Sequence, residues 1–100
     1  MNEHQYSIKH FNLMVELASK MASIPALILE HSYTYEAFGS WWLTLKRSGK
    51  TFRLVFDGRD NRLSIEESAI NWQEKASKQL SSNNDVLVLD TCFSLITGYT

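Results

Sequence analysis

The sequence predicts one α+β domain over residues 1–100: an N-terminal helix, a four-stranded antiparallel meander sheet, and one or two C-terminal helices. Three observations predict it. Apolar residues recur at helical spacing as far as Ala22, then alternate with period two from Ala26. Two central hairpins share one register that places every large apolar residue on one face. After Glu66 the spacing becomes helical again.

The first helix runs from Glu3 to Ala22. Its expected buried stripe is Ile8, Phe11, Val15, Ala18 and Ala22, widened by Met14, Leu17 and Met21. Asn2 and Gln5 stand at the spacing of a capping pair. Pro25 lacks a backbone donor and disfavours helix at Ile24, so the helix stops near Ser23. The next segment reads as a half-buried strand. Leu27, Leu29, His31, Tyr33 and Tyr35 point inward, alternating with Ile28, Glu30, Ser32, Thr34 and Glu36. Phe38-Gly39 makes the turn that follows.

Ser48-Gly49 suits a two-residue hairpin turn. It pairs Leu45 with Phe52, Leu43 with Leu54, and Trp41 with Phe56. A second turn within Gly58-Arg59-Asp60-Asn61 pairs Phe56 with Leu63 and Leu54 with Ile65 on the same inner face. The outer face then carries Asp57 opposite Arg62 and Arg53 opposite Glu66, contacts worth roughly 0.2–1 kcal/mol each. Apolar match and charge match select the same register. Beyond it, Ala69, Trp72, Ala76 and Leu80 share a helical face, and Glu74 and Lys78 form an i,i+4 pair on another. Ser81 to Asn84 is a loop. Residues 85–99 fit a helix capped by Asp85, and they also fit a strand. The helix is favoured because Asp90 and Ser94 then share a polar side.

Composition narrows the function. Hydrophobic residues make up 44 % of the chain and charged residues 21 %, with a formal net charge of -1, which excludes both a disordered chain and a strongly basic nucleic-acid binder. The charge is uneven. Residues 46–62 are net basic, and the segments on either side are net acidic. One cysteine, Cys92, excludes an internal disulfide and a Cys-rich zinc site. No apolar run reaches membrane-span length, and Met1-Asn2-Glu3-His4 does not resemble a signal peptide. The expected location is cytoplasmic.

No enzyme motif is present, and neither a cofactor nor a metal is expected. Ser48-Gly49-Lys50-Thr51 lacks the upstream glycine and the helix of a phosphate loop. His4, His10 and His31 do not share metal-ligand spacing, and His4 and His10 lie near a helix end expected to fray. His31, on the inward strand face, reads as a histidine satisfied by a tyrosine or a carbonyl. The alternative is a ligand-binding or catalytic group with Tyr33 and Tyr35. Cys92 reads as a buried structural thiol. Asp57-Gly58-Arg59-Asp60 is explained by turn chemistry. Lys46, Arg47, Lys50, Arg53, Arg59 and Arg62 form a basic cluster near Trp41, Trp42 and Phe52. However, Trp41 and Phe52 point inward, Arg53 and Arg62 are matched with acids, and the other bases sit at turns as solvated charges.

Trp42 is the outstanding candidate. The register sets it on the outer sheet face opposite Val55, beside Arg53. Tryptophan and arginine are typical interface anchors. A protein-binding face is therefore expected around Trp42 and Val55, rimmed by Glu30, Glu36, Asp57 and Glu66, with Arg53 and Arg62.

The stretch Gly39-Ser40-Trp41-Trp42-Leu43-Thr44-Leu45, continuing through Phe52-Arg53-Leu54-Val55-Phe56-Asp57-Gly58-Arg59-Asp60 to Leu63-Ser64-Ile65-Glu66, resembles the sheet core of small bacterial immunity proteins. These are encoded beside polymorphic or contact-dependent growth inhibition toxins. The resemblance covers roughly a third of the chain. It implies a non-enzymatic inhibitor that binds one cognate toxin domain. Such toxins are often nucleases with basic clefts, for which Glu66, Glu67, Glu74 and Asp85 would supply acidic contacts. A small adaptor or oligomerising module is the alternative.

Overall fold

The structure, a computed structural model, describes residues 2–100. Its elements are α1 (Glu3–Ala22), β1 (Leu27–Thr34), β2 (Ser40–Arg47), β3 (Lys50–Asp57), β4 (Arg62–Ser68), β5 (Trp72–Gln79) and α2 (Asp85–Tyr99). The fold is α+β: the strands form one antiparallel sheet in the order β1-β2-β3-β4-β5.

The centre of the sheet has the expected register. Trp41, Leu43 and Leu45 lie opposite Phe56, Leu54 and Phe52, and Leu54 and Phe56 lie opposite Ile65 and Leu63. Ser48 and Gly49 both take positive φ, at 55° and 78°, which lets a two-residue turn follow the strand twist. These eight inner-face side chains are each at most 8 % exposed. Leu13, Leu17 and Met21 of α1 and Val88, Leu89, Cys92, Leu95 and Ile96 of α2 complete the same core. Both helices therefore cover one face of the sheet, and among the described residues no helix or strand covers the other. Each fully buried side chain of this size contributes roughly 1.5–3 kcal/mol.

Two caps define α1 as expected. The Asn2 side chain accepts from the Gln5 N–H and Gln5 returns the bond, and Ser23 ends the helix. The 85–99 segment is a helix. Its cap is Asn84 and not Asp85: Asn84 Oδ1 accepts from the Val86 and Leu87 N–H groups.

Further expectations are corrected. Residues 72–79 form strand β5 and not a helix, so the sheet has five strands and there is one C-terminal helix. Without β5, the outer edge of β4 would leave its backbone groups unpaired beside a buried face. The apparent helical spacing of Trp72 and Ala76 arises from a bulge opposite Ile65 and Glu66, which puts Trp72 on the outer face while Ala76 faces Ile65 inward. Glu74, Lys75 and Lys78 are residues suited to an exposed sheet edge.

The second correction concerns α1. It buries Leu13, Leu17 and Met21, whereas Ile8, Phe11 and Val15 face outward at 49 %, 66 % and 52 % exposure. The helix is apolar on two opposite sides, and spacing alone does not choose between them. In β1, a bulge at Leu29 changes which side chains point inward: Ile28 lies opposite Leu45, and only from His31 onward do odd residues face the core.

Arg47 is not a solvated turn base. Its guanidinium donates to Thr100 Oγ1 at 3.0 Å and to the Ile96 and Ile24 carbonyls at 3.4 Å. It thereby supplies the positive charge that the last turn of α2 lacks.

Gly58 joins two loops. Its N–H donates to Ser40 Oγ at 2.9 Å, and a Cβ there would run into the Phe38 carbonyl oxygen. Gly58→Ala should therefore destabilise the fold by on the order of 1–3 kcal/mol, the cost of overpacking. Urea unfolding checks this, and an unchanged midpoint would contradict the close approach.

Candidate partner-binding face

On the uncovered face, Trp42 lies opposite Val55, Val55 opposite Ser64, and Arg53 between Thr44 and Glu66. Glu74 lies beside Glu66, and Trp72 enters at the end of β5. Arg53 is held twice. Its Nε and Nη2 donate to Glu66 Oε1 at 2.9 and 2.7 Å, and its guanidinium carbon lies 4.4 Å from the Trp72 ring centre. The hydrogen bonds fix the plane of the guanidinium and the ring supports it. Trp42, Val55 and Trp72 are half-buried, and Thr44 is buried among its neighbours. The face thus presents two indoles and a valine around one immobilised Arg–Glu pair. Ordering such side chains before binding lowers the entropy cost of association.

Trp42, Arg53, Val55 and Glu66 are gathered here by the expected register, and Glu74, expected on a helix, joins them from β5. Asp57 and Arg62 are opposite each other in register, but each is engaged elsewhere. Asp57 Oδ1 accepts from the Arg59 and Asp60 N–H groups, and Arg62 Nη2 donates to Ser77 Oγ at 2.7 Å. Glu67 does not belong to this face. It lies opposite Phe52 and Gln73 on the helix side, with Lys75 Nζ 3.8 Å away. Asp85 stands at the start of α2, 3.7 Å from Lys9. The acids expected to form one surface therefore point to separate places, and Glu66, Glu67 and Asp85 each meet a base. Trp72 was missed because its segment reads as a helix. The available signal was that β4, last in a four-stranded meander, had no partner on its far side.

A second cluster joins α1 to β1. His10 Nε2 lies 2.9 Å from His31 Nε2, and His31 Nδ1 lies 2.9 Å from the Trp42 carbonyl oxygen. The carbonyl can only accept, so His31 carries its proton on Nδ1. With both rings neutral, His10 Nε2–H then donates to the bare His31 Nε2. His10 also stacks on Tyr33 at 4.2 Å between ring centres. Burial, and secondarily His31, lower the His10 pKa to about 4. Burial likewise raises that of Tyr33. The expectation that His10 sits at a fraying end is corrected: it lies within a capped helix and touches the sheet. His31 is satisfied by a carbonyl as expected, but it is exposed on an edge strand.

Beside this cluster, Tyr6, His10, Tyr33, Phe38, Trp41 and Phe56 line part of a pocket of about 120 Å³. Ligand pockets typically hold roughly 300–1,000 Å³, so this one is small for a metabolite. Cys92 is 1 % exposed in the core, where burial pushes its thiol pKa far up. Among the described residues, no three His, Cys, Asp or Glu side chains are grouped to hold a metal, and no helix is long and apolar enough to cross a membrane.

Comparison with protein-family models, with curated proteins and with solved structures gave no match.

The histidine pair has a consequence for stability. The unfolded chain protonates His10 below about 6.5, whereas the folded chain resists until about 4. The stabilisation is thus complete above pH 6.5 and is lost as the pH falls towards 4. The melting temperature should fall more steeply from pH 7 to pH 4.5 in the native chain than in His10→Gln, whose amide can still donate to His31. Parallel pH profiles would contradict this assignment.

Proposed function

We propose that this chain is a non-enzymatic inhibitory binding protein, an immunity protein that neutralises one cognate toxin domain by docking on the open face of its sheet. The observation that carries the reading is the Trp42–Val55–Arg53–Trp72 surface, a preordered aromatic patch on a sheet face that no helix covers. Aromatic residues and arginine dominate binding energy where a partner excludes water from them. The likeness of segments within Gly39–Glu66 to immunity proteins supports the choice of a toxin as the partner. A nuclease is the proposed toxin type. The paired state of Glu66, Glu67 and Asp85 means that docking rests on the aromatic patch more than on a broad acidic field.

The test is co-expression with the protein encoded by the adjacent reading frame. The native chain should protect cells from it, and purified Trp42→Ala should bind it at least about tenfold more weakly, a loss of about 1.4 kcal/mol. The melting temperature of Trp42→Ala should stay within a few degrees of the native value. A neighbour that is harmless without this chain contradicts the immunity reading. Undiminished binding by Trp42→Ala contradicts the surface.

A further inference from the structure

Three aromatic side chains stand side by side on the helix-covered face of the sheet. Register sets Tyr33 opposite Trp41 and Trp41 opposite Phe56, so they form one row across β1, β2 and β3. Trp41 and Phe56 are buried and nearly parallel, with ring centres 5.9 Å apart. α1 crosses the row with Tyr6 and His10, which share a helix face at i,i+4 spacing. His10 stacks on Tyr33 and meets the Trp41 ring at 49°. The pocket of about 120 Å³ opens beside these rings.

Its mouth is held by a strained loop. Phe38 takes φ 57°, a conformation that a bulky residue rarely adopts, and it borders the pocket while staying 69 % exposed. The loop is pinned there. The Phe38 carbonyl packs against Gly58, and the Gly58 N–H donates to Ser40 Oγ. Strain of this kind is characteristic of ligand clamps.

The charges select the ligand. Lys9 belongs to the lining, but its Nζ lies 3.7 Å from the carboxylate of Asp85, which lines the same pocket. The carboxylates of Glu3 and Glu36 both act on Tyr33. His10 stays neutral, because burial holds its pKa down to about 4. Three carboxylates and one ammonium therefore stand near the rings, a balance that disfavours an anion. Ring faces attract a cation. They accept no ordinary hydrogen bonds, so a primary ammonium would leave its N–H groups unpaired, whereas a quaternary one has none. The volume suits a single headgroup and not a whole metabolite. We propose that Tyr33, Trp41, Phe56 and Phe38 form an aromatic cage for a quaternary ammonium group. Trp41 points to the opposite side of the sheet from Trp42, so the proposal does not depend on the toxin reading.

NMR titration of the purified full chain with choline, at constant ionic strength, tests the cage. The Trp41 indole N–H and the Gly39 amide should shift together and saturate in the millimolar range. The tert-butyl isostere of choline, which is uncharged, should bind at least about tenfold more weakly, the scale of a desolvated cation–ring contact. Phe38→Gly removes the rim ring and suits the backbone there. Its melting temperature should hold while its choline binding weakens at least about fivefold. Co-sedimentation with phosphatidylcholine vesicles, and not with phosphatidylglycerol vesicles, would assign the group to a lipid; binding of choline without the vesicles would assign it to a soluble molecule. No shift at tens of millimolar choline overturns the proposal. Equal binding of the isostere overturns the cation preference, and undiminished binding by Phe38→Gly overturns the rim.

Discussion

Side chains alternate across a strand, so a sheet that puts its bulk on one face must be closed on that face. In this protein β2, β3 and β4 place Trp41, Leu43, Leu45, Phe52, Leu54, Phe56, Leu63 and Ile65 together. Everything else is arranged around that choice. The helices flank the sheet on that side, where Leu17 and Ile96 join the same core. Arg47, at the end of β2, then binds the last carbonyls of α2 and the segment after α1, tying both helices to the strand that organises them. β1 and β5 complete the hydrogen bonding of the inner strands, and each contains a bulge where its pattern would otherwise fall out of step.

The same alternation governs the opposite face. Residues between the core positions must point away from the helices, and the sequence places Trp42, Arg53, Val55 and Glu66 there. Trp42 stays half-buried there beside an Arg–Glu pair and a second tryptophan, and the proposed docking rests on this arrangement. The outward side chains Ile8, Phe11 and Val15 of α1 form a separate apolar surface.

The central hairpins were legible because two independent signals agreed on them: apolar pairing inside and opposite charges outside. The capped ends of α1 were legible because Asn2, Gln5 and Pro25 act locally. β5 was not. As an edge strand beside an inward Ala76 and an outward Trp72, it has no single alternating pattern, and its Ala, Glu, Lys and Gln residues favour helix when read locally. Its conformation is imposed by the hydrogen-bonding groups of β4. The buried side of α1 was equally hidden, since a helix with two apolar stripes does not say which one meets the sheet. Of the candidate site, the strand-borne part followed from register. Trp72 and His10 did not, because they depend on a bulge and on the rotation of a helix.

The two faces of β3 have opposite fates, and neighbouring residues on that strand separate them. Leu54 is 0 % exposed beneath the helices, and Val55 is half-buried on the open side. Equilibrium urea unfolding of Leu54→Ala and Val55→Ala is the most direct measurement. Leu54→Ala should cost about 2–5 kcal/mol. Val55→Ala should cost no more than about 1 kcal/mol, in line with the span of strand-surface substitutions. Losses of equal size would mean that both faces are closed, and would contradict the one-sided sheet.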